Sequence, residues 1–167
     1  RALDKEAREL HENQVRIRFI GDTAAFSSDL QKKVAAATEM TAANTRMTFN
    51  VAANYGGRWD IVNAARKIAG AVQSGRLRPE NIDERLFSEY VALGSSPDPD
   101  LFVRTGGEMR ISNFLLWQSA YTELFFTPVL WPDFSPAKLD EAIAAFRRRE
   151  RRFGRTGEQT RQRAGRG

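Results

Sequence analysis

Short apolar runs alternate along this chain with longer segments of helical periodicity, and this alternation limits the fold more than any other feature. The strand-like runs cover residues 15–20, 47–53, 101–104 and 124–126. Strands that alternate with helices are typical of a parallel sheet covered on both sides. The sequence therefore predicts an α/β fold with a mostly parallel sheet and helices on both faces. No linker or internal repeat divides it, so we predict a single domain over residues 1–154.

Helical spacing fills the segments between these runs. It predicts helices over residues 2–12 and 113–119, and helices that begin at Ser28 and at Pro136. Two further helices are predicted from apolar stripes, one from Ile61 to Val72 and one from Ile82 to Leu93. Ser28 and Gln31 have the spacing of a capping box, which favours a helix start at Ser28. The basic tail, residues 155–167, has little to bury, so we expect it to be disordered.

Composition excludes several kinds of site. The chain has no cysteine, which excludes disulfides and thiolate metal sites and fits a reducing, cytoplasmic compartment. Its one histidine, His11, excludes a multi-histidine metal centre. No apolar run approaches the roughly 18 residues needed to cross a bilayer. Residues 147–167 hold nine arginines and two glutamates, so the rest of the chain has a net charge of −2 and the basic character belongs to the tail.

Three polar turns follow predicted strands, at residues 21–22, 54–58 and 104–112. Ligands of open α/β sheets bind beyond the carboxyl ends of the strands, so we expect these turns to face one cleft. In the third turn, Arg104 and Arg110 flank two glycines, and Ser112 stands where helix 113–119 should begin. Free N–H groups at a capped helix start, with two guanidinium groups beside them, predict a phosphate or diphosphate site. The alternative is that the arginines are surface residues paired with Glu108 or Asp100.

Three other features each allow a structural and a functional interpretation. Glu123 beside an apolar strand is either a salt-bridge partner or a magnesium ligand next to a bound diphosphate. The turn within residues 54–60 is either a tight turn that only glycine allows or part of a binding site. Met47, Phe49 and Val51 share one strand face, and they either pack in the core or line an apolar tunnel.

Four segments resemble motifs of the cis-prenyltransferases, in the order in which that family carries them. They are Asn54-Tyr-Gly-Gly-Arg-Trp-Asp-Ile61, Asp100-Leu-Phe-Val-Arg-Thr-Gly-Gly-Glu-Met-Arg-Ile-Ser-Asn-Phe-Leu-Leu-Trp-Gln118, Tyr121-Thr-Glu-Leu-Phe-Phe126 and Leu130-Trp-Pro-Asp-Phe134. The resemblance extends from about residue 1 to Gly154 and is strongest to the bacterial undecaprenyl diphosphate synthases. It implies addition of isopentenyl diphosphate units to farnesyl diphosphate, which makes a polyprenyl lipid carrier for peptidoglycan synthesis in cell-wall biogenesis.

The resemblance also implies roles for particular residues. By motif position, the diphosphate of isopentenyl diphosphate is expected to bind Arg104, Arg110, Ile111 and Ser112, and Glu123 is expected to help to hold Mg²⁺. Arg152 and Gly154 match an Arg-x-Gly motif that reaches the neighbouring subunit of a homodimer. Met109 stands where many bacterial members have histidine. Contact with the membrane is expected only through the lipid product.

Two family motifs do not occur in the sequence: an Asp-Gly-Asn-Gly-Arg-Trp phosphate loop with the central catalytic aspartate, and an Asn-Trp-x-Arg-Pro-like segment. We therefore expect the chain to match about the C-terminal two-thirds of the family domain and to contain no catalytic residue of its own. Two alternatives stay open. One is a non-catalytic partner subunit or an inactive fragment that binds diphosphate; the retained Arg104, Arg110, Ser112 and Glu123 argue against the partner subunit. The other is nucleic-acid binding by the tail, disfavoured because few aromatic residues interleave with the arginines.

Overall fold

A computed structural model describes residues 2–148, and the described chain forms two compact units that divide after Ser96. The helices are α1 (Ala2–Glu12), α2 (Ser28–Thr41), α3 (Gly57–Gln73), α4 (Glu84–Tyr90) and α5 (Pro136–Arg148). The strands are β1 (Val15–Ile20), β2 (Met47–Ala52), β3 (Leu101–Arg104) and β4 (Glu123–Phe126). The strands pair in parallel within each unit, which confirms the predicted α/β class with parallel strands.

The first unit is built on the parallel pair β1–β2, whose register runs from Val15 opposite Met47 to Ile20 opposite Ala52. Helices α1 and α2 pack against β1. Ala7, Ile17 and Ala37 form the buried centre of this packing, and small residues on both helices let them approach the strand closely. Val51 packs at the margin of the same cluster, so the neighbouring strand contributes to this core as well.

Side chains at the end of α2 close the outer edge of β1. The Thr41 hydroxyl accepts a hydrogen bond from the Ile17 amide at 2.9 Å and donates one to the Ala37 carbonyl at 2.9 Å. The Asn44 side-chain amide donates to the Val15 carbonyl at 2.8 Å. Thr41 and Asn44 are both buried, so these polar groups satisfy each other away from solvent.

The two polar turns of the first unit meet at the carboxyl ends of β1 and β2. The Asp22 amide donates to the Asn54 carbonyl, and the Asn54 side chain donates to the Asp22 carbonyl, both at 3.1 Å. Gly21 has a φ of +113°, and a Cβ there would lie 2.1 Å from the Ala53 carbonyl oxygen. Only glycine therefore fits at position 21 without a shift of the neighbouring backbone.

Helix α3 packs against the short helix α4 within the same unit. The predicted apolar stripe of α3 is only partly right, because its buried residues are Gly57, Asp60, Ala64, Ile68 and Ala71, whereas Ala65 is exposed. The buried face of α3 is therefore rotated from the predicted stripe toward its small residues Gly57, Ala64 and Ala71. Asp83 caps α4 by accepting a hydrogen bond from the Leu86 amide at 2.7 Å.

The second unit pairs β3 with β4 in parallel, with Leu101 opposite Glu123 and Arg104 opposite Phe126. Helix α5 packs against both strands and buries Ala142 completely. This helix begins at Pro136, as predicted, since proline suits the first helical position. The boundary at Gly154 and the tail 155–167 lie outside the described residues and stay predictions.

Two helix predictions are wrong in detail. No helix forms over residues 113–119, where the backbone makes successive turns. Ser112, Asn113 and Leu115 have positive φ values, which a right-handed helix cannot contain. The cap of α2 is Ser27 rather than Ser28, since the Ser27 hydroxyl accepts from the Leu30 amide at 3.4 Å. Across residues 2–148, no helix combines the length and apolar character that a bilayer crossing requires.

We predict that Gly21→Ala lowers the free energy of unfolding by at least about 2 kcal/mol, because the new methyl group would overlap the Ala53 carbonyl at a strained φ. Urea unfolding followed by circular dichroism measures the change. Gly70→Ala is the matched control, because nothing lies within 4 Å of its Cβ position in α3. The control should be neutral or stabilising by up to about 1 kcal/mol. Equal effects of the two substitutions would contradict the assigned packing at Gly21.

Candidate diphosphate site

The Arg104 side chain organises the candidate site of the second unit. Arg104 is the last residue of β3, and its Nη1 donates a hydrogen bond to the Ser112 hydroxyl at 2.6 Å. The same nitrogen donates to the Arg110 carbonyl oxygen. One guanidinium group therefore ties the far end of the turn back to the strand, and three of the predicted site residues lie together.

The two glycines of this turn do not offer free N–H groups. The Gly106 amide donates to the Val129 carbonyl at 2.8 Å, and the Gly107 amide donates to the Thr127 carbonyl at 3.0 Å. Both glycines have left-handed φ values, +83° and +75°. Their role is to turn the chain sharply and to join it to the segment after β4. These two amides are therefore already engaged within the protein.

Ser112 is not a helix cap either, since no helix follows it. Its φ is +45°, and its hydroxyl accepts from Arg104. Tertiary packing overrides the local preference of residues 113–119 for a helix. Leu115 is buried at a φ of +47°, so the left-handed backbone places this side chain in the interior. The candidate anion site therefore rests on side chains rather than on a helix end.

Arg110 is the exposed cation of the site. Its Nη2 lies 2.8 Å from Glu108 Oε2, and the two side chains are 68% and 47% exposed. The predicted alternative, pairing with Glu108, is therefore what this guanidinium does in the described structure. An exposed ion pair contributes little stability, so an anion could displace Glu108 at small cost. Ile111, between Arg110 and Ser112 in the chain, is half-buried, and its carbonyl accepts from the Phe114 amide at 3.1 Å.

Glu123 is the first residue of β4, and its amide donates to the Asp100 carbonyl at 3.1 Å. The residue is half-buried. Within residues 2–148, no three side chains of His, Cys, Asp or Glu are grouped closely enough to hold a metal ion by themselves. Glu123 is therefore not part of a cluster of three such side chains among the described residues.

A buried carboxylate supports the polar turn of the first unit. Asp60, in the first turn of α3, is 3% exposed. It accepts from the Tyr55 hydroxyl at 2.9 Å and from the Ala92 amide at 2.8 Å. Sequence reasoning did not select Asp60, although an acid so near a predicted helix start was a usable signal. The left-handed residue of this turn is Asn54, at φ +48°, whereas Gly56 is extended, so the prediction of a turn that only glycine allows is wrong.

The remaining predicted residues fall in different places. Met47 and Phe49 are 53% and 46% exposed, so core packing does not explain them. Met109 is 79% exposed. Arg152 and Gly154 lie outside the described residues, and their predicted role stays a prediction.

Fold and site together define an α/β protein in which arginine and serine side chains gather at the carboxyl end of a parallel strand. Comparison with known proteins is consistent with that class. The family model described as "Putative undecaprenyl diphosphate synthase" matches residues 1–154. The chain therefore belongs to the undecaprenyl diphosphate synthase family of cis-prenyltransferases.

Named relatives are similar over nearly the whole chain. The (2E,6E)-farnesyl-diphosphate-specific ditrans,polycis-undecaprenyl-diphosphate synthase of Escherichia coli K12 is 54% identical over 93% of this chain and 61% of its own length. The corresponding Vibrio cholerae synthase is 52% identical over 94% of this chain and 63% of its own length. The chain thus spans less than two-thirds of these relatives.

Two solved structures share the fold. Lavandulyl diphosphate synthase from Lavandula x intermedia, in complex with dimethylallyl diphosphate, has a TM-score of 0.87 and 44% identity, covering 91% of this chain and 66% of its own. A probable undecaprenyl diphosphate synthase from Campylobacter jejuni has a TM-score of 0.81 and 32% identity, covering 92% and 70%.

We predict that Asp60→Asn lowers the free energy of unfolding by about 1–3 kcal/mol, because a donating amide nitrogen replaces one of the two oxygens that accept from the Tyr55 hydroxyl and the Ala92 amide. Tyr55→Phe, which removes one donor and keeps Asp60 in place, is the comparison. In a double-mutant cycle, urea unfolding should show coupling between positions 55 and 60. Additive effects would mean that the Tyr55–Asp60 hydrogen bond does not support the turn.

Proposed function

We propose that this chain provides the isopentenyl diphosphate-binding part of a prenyltransferase of the undecaprenyl diphosphate synthase type. The complete reaction joins isopentenyl diphosphate units to farnesyl diphosphate, each with a cis double bond, and yields undecaprenyl diphosphate for the lipid carrier of cell-wall synthesis. The single observation that carries the proposal is the cluster of Arg104, Ser112 and Arg110, in a chain 54% identical to a named synthase.

The cluster suits a diphosphate for electrostatic reasons. Arg104 is held at the end of β3 by its two acceptors, so its guanidinium loses little freedom when an anion binds. Arg110 can turn from Glu108 to a phosphate oxygen, because their ion pair is exposed. The Ser112 hydroxyl oxygen accepts from Arg104, so the hydroxyl can donate its own proton to the same anion. The two arginines then bind and orient the substrate so that its reactive double bond is held in place.

Magnesium is the cofactor that the proposed function requires. Glu123 fits it, because Mg²⁺ is usually bound by one or two carboxylates and completed by phosphate oxygens and water. Glu123 is thus the residue of this chain that would help to hold the ion beside the diphosphate. When bound, Mg²⁺ would neutralise charge that develops on a departing diphosphate.

Exposed apolar side chains support a homodimer and an apolar product. Leu130, Trp131 and Tyr121 are 61%, 76% and 82% exposed, and the Trp131 ring stacks on Phe134 at 6.1 Å. Exposed aromatic groups of this size favour a protein interface. We propose a cytoplasmic dimer that touches the membrane only through its lipid product, with no nucleic-acid partner. The synthase names of the relatives support this function rather than a non-catalytic partner subunit.

Substitution of Arg104 tests the binding site directly. We predict that Arg104→Ala weakens binding of isopentenyl diphosphate by about ten- to a hundredfold, because a charge-assisted contact is lost and Ser112 loses its donor. NMR titration in the presence of Mg²⁺ measures even weak affinity. Arg78→Ala removes an exposed cation of the first unit and is the control for net charge. Unchanged affinity in Arg104→Ala would overturn the assigned site.

Turnover is tested separately from binding. With labelled isopentenyl diphosphate, farnesyl diphosphate and Mg²⁺, these 167 residues alone should incorporate little label into lipid-extractable product, because the aspartate loop of the family does not occur among them. Incorporation that disappears in Arg104→Ala would support the proposed reaction but contradict the expected need for that loop.

A further inference from the structure

A polar cavity of about 320 Å³ opens in the first unit at the carboxyl end of β1. Its walls come from β1, α3 and the segment after α4, and Ile20 and Gly21 mark the strand end. Small ligands of α/β proteins bind at this end of the strands. None of the lining residues belongs to the candidate diphosphate site. The polar side chains of the lining are those of Arg18, Asp60, Asn63, Lys67, Glu89 and Ser95.

Arg18 is the half-buried cation of this cavity. Its neighbour Ile17 packs in the core with α1 and α2, so the alternation of β1 directs Arg18 to the opposite face. Arg18 Nη1 donates to the Ser95 hydroxyl at 2.9 Å and to the Ser96 hydroxyl at 3.5 Å. Within residues 2–148, Arg18 forms no ion pair with a carboxylate. Two neutral hydroxyls do not balance a partly desolvated charge, which favours a bound anion.

Lys67 brings a second cation to the same cavity, and it too forms no ion pair with a carboxylate of the described chain. Two acidic residues also line the cavity. Asp60 is buried and engaged by the Tyr55 hydroxyl and the Ala92 amide. Glu89 is exposed and pairs with neither cation. The two cations are therefore available to a ligand, and Glu89 can accept hydrogen bonds from hydroxyl groups of that ligand.

We infer that this cavity binds a small phosphate monoester that carries hydroxyl groups. Arg18 and Lys67 hold the phosphate, and the Ser95 hydroxyl, which accepts from Arg18, donates its own proton to a phosphate oxygen. A carboxylate has one charge for two cations, whereas a phosphate can balance both. The volume exceeds that of one phosphate group, so the hydroxyl groups of the ester face Asn63 and Glu89. The inference does not rest on the proposed reaction, because it uses other residues.

The test is an NMR titration of the 167-residue chain at constant ionic strength with glycerol 3-phosphate, inorganic phosphate and glycerol. Both phosphate compounds should shift the amide signals of residues 93–95 in a saturable way, and glycerol should not. Gly106 and Gly107 report separately on the candidate diphosphate site, and the shifts at residues 93–95 should persist in Arg104→Ala. Tighter binding of glycerol 3-phosphate supports the ester, whereas equal affinities would assign the cavity to free phosphate. Absence of saturable shifts at residues 93–95 would overturn the inference.

Two neighbouring cations of α3 provide matched variants. Lys67→Gln should weaken glycerol 3-phosphate binding by about tenfold, because a charge-assisted contact is lost. Arg66→Gln removes an exposed cation outside the cavity lining and should leave the affinity unchanged. Equal weakening by both substitutions would show that net charge, and not the cavity, governs binding, and would refute the inference.

Substitution of Ser95 tests the role of Arg18 while the arginine itself is kept. Ser95→Glu supplies a carboxylate to the Arg18 guanidinium, so it should abolish phosphate binding in a chain whose circular dichroism and unfolding midpoint show that it is folded. Ser95→Gln is similar in size but neutral, and it should retain binding. Undiminished binding by folded Ser95→Glu would contradict the assignment of the phosphate to Arg18.

Discussion

Parallel pairing of strands is the constraint on which the rest of this structure depends. In a parallel pair the carboxyl ends of both strands lie at one edge, so the segments that follow them are brought together without any sequence signal of their own. The turns after β1 and β2 meet in this way through Asp22 and Asn54. In the second unit, the same geometry places the chain after β4 beside the glycines that follow β3.

In the candidate site, backbone groups and side chains have different roles. Gly106 and Gly107 use their N–H groups to secure the turn, so the anion site that we propose depends on the side chains of Arg104, Arg110 and Ser112. Guanidinium groups recognise diphosphate at close range and keep their charge at any physiological pH. Arg104 is already fixed by hydrogen bonds, whereas Arg110 is exposed and can move. The proposed site therefore combines Arg104, whose guanidinium is already held in position, with Arg110, whose guanidinium can reorient.

Several elements could be predicted because their local signals agree with their packing. Strand β1 covers the predicted residues 15–20 and buries three of them, and α1 and α5 begin at the predicted residues. The segment 113–119 could not be predicted, because its helical pattern competes with the burial of Leu115 at a left-handed φ. Asp60 was missed for a related reason. Its position near a predicted helix start was a usable signal, but its hydrogen bond to the Ala92 amide, far along the chain, leaves no mark in local spacing.

The sequence by itself determined the α/β class, the positions of the strands and the family, because apolar spacing and long motifs are properties of residues near one another in the chain. It also identified Arg104, Arg110 and Ser112 as residues of interest. Only the tertiary structure decided that the Arg104 guanidinium bonds to Ser112, that the glycine amides are occupied, and that Thr41 and Asn44 bond to the outer edge of β1. Each of these facts depends on which donor meets which acceptor across distant segments. Such pairings follow from the packing of the whole fold, since most buried polar groups find a partner there.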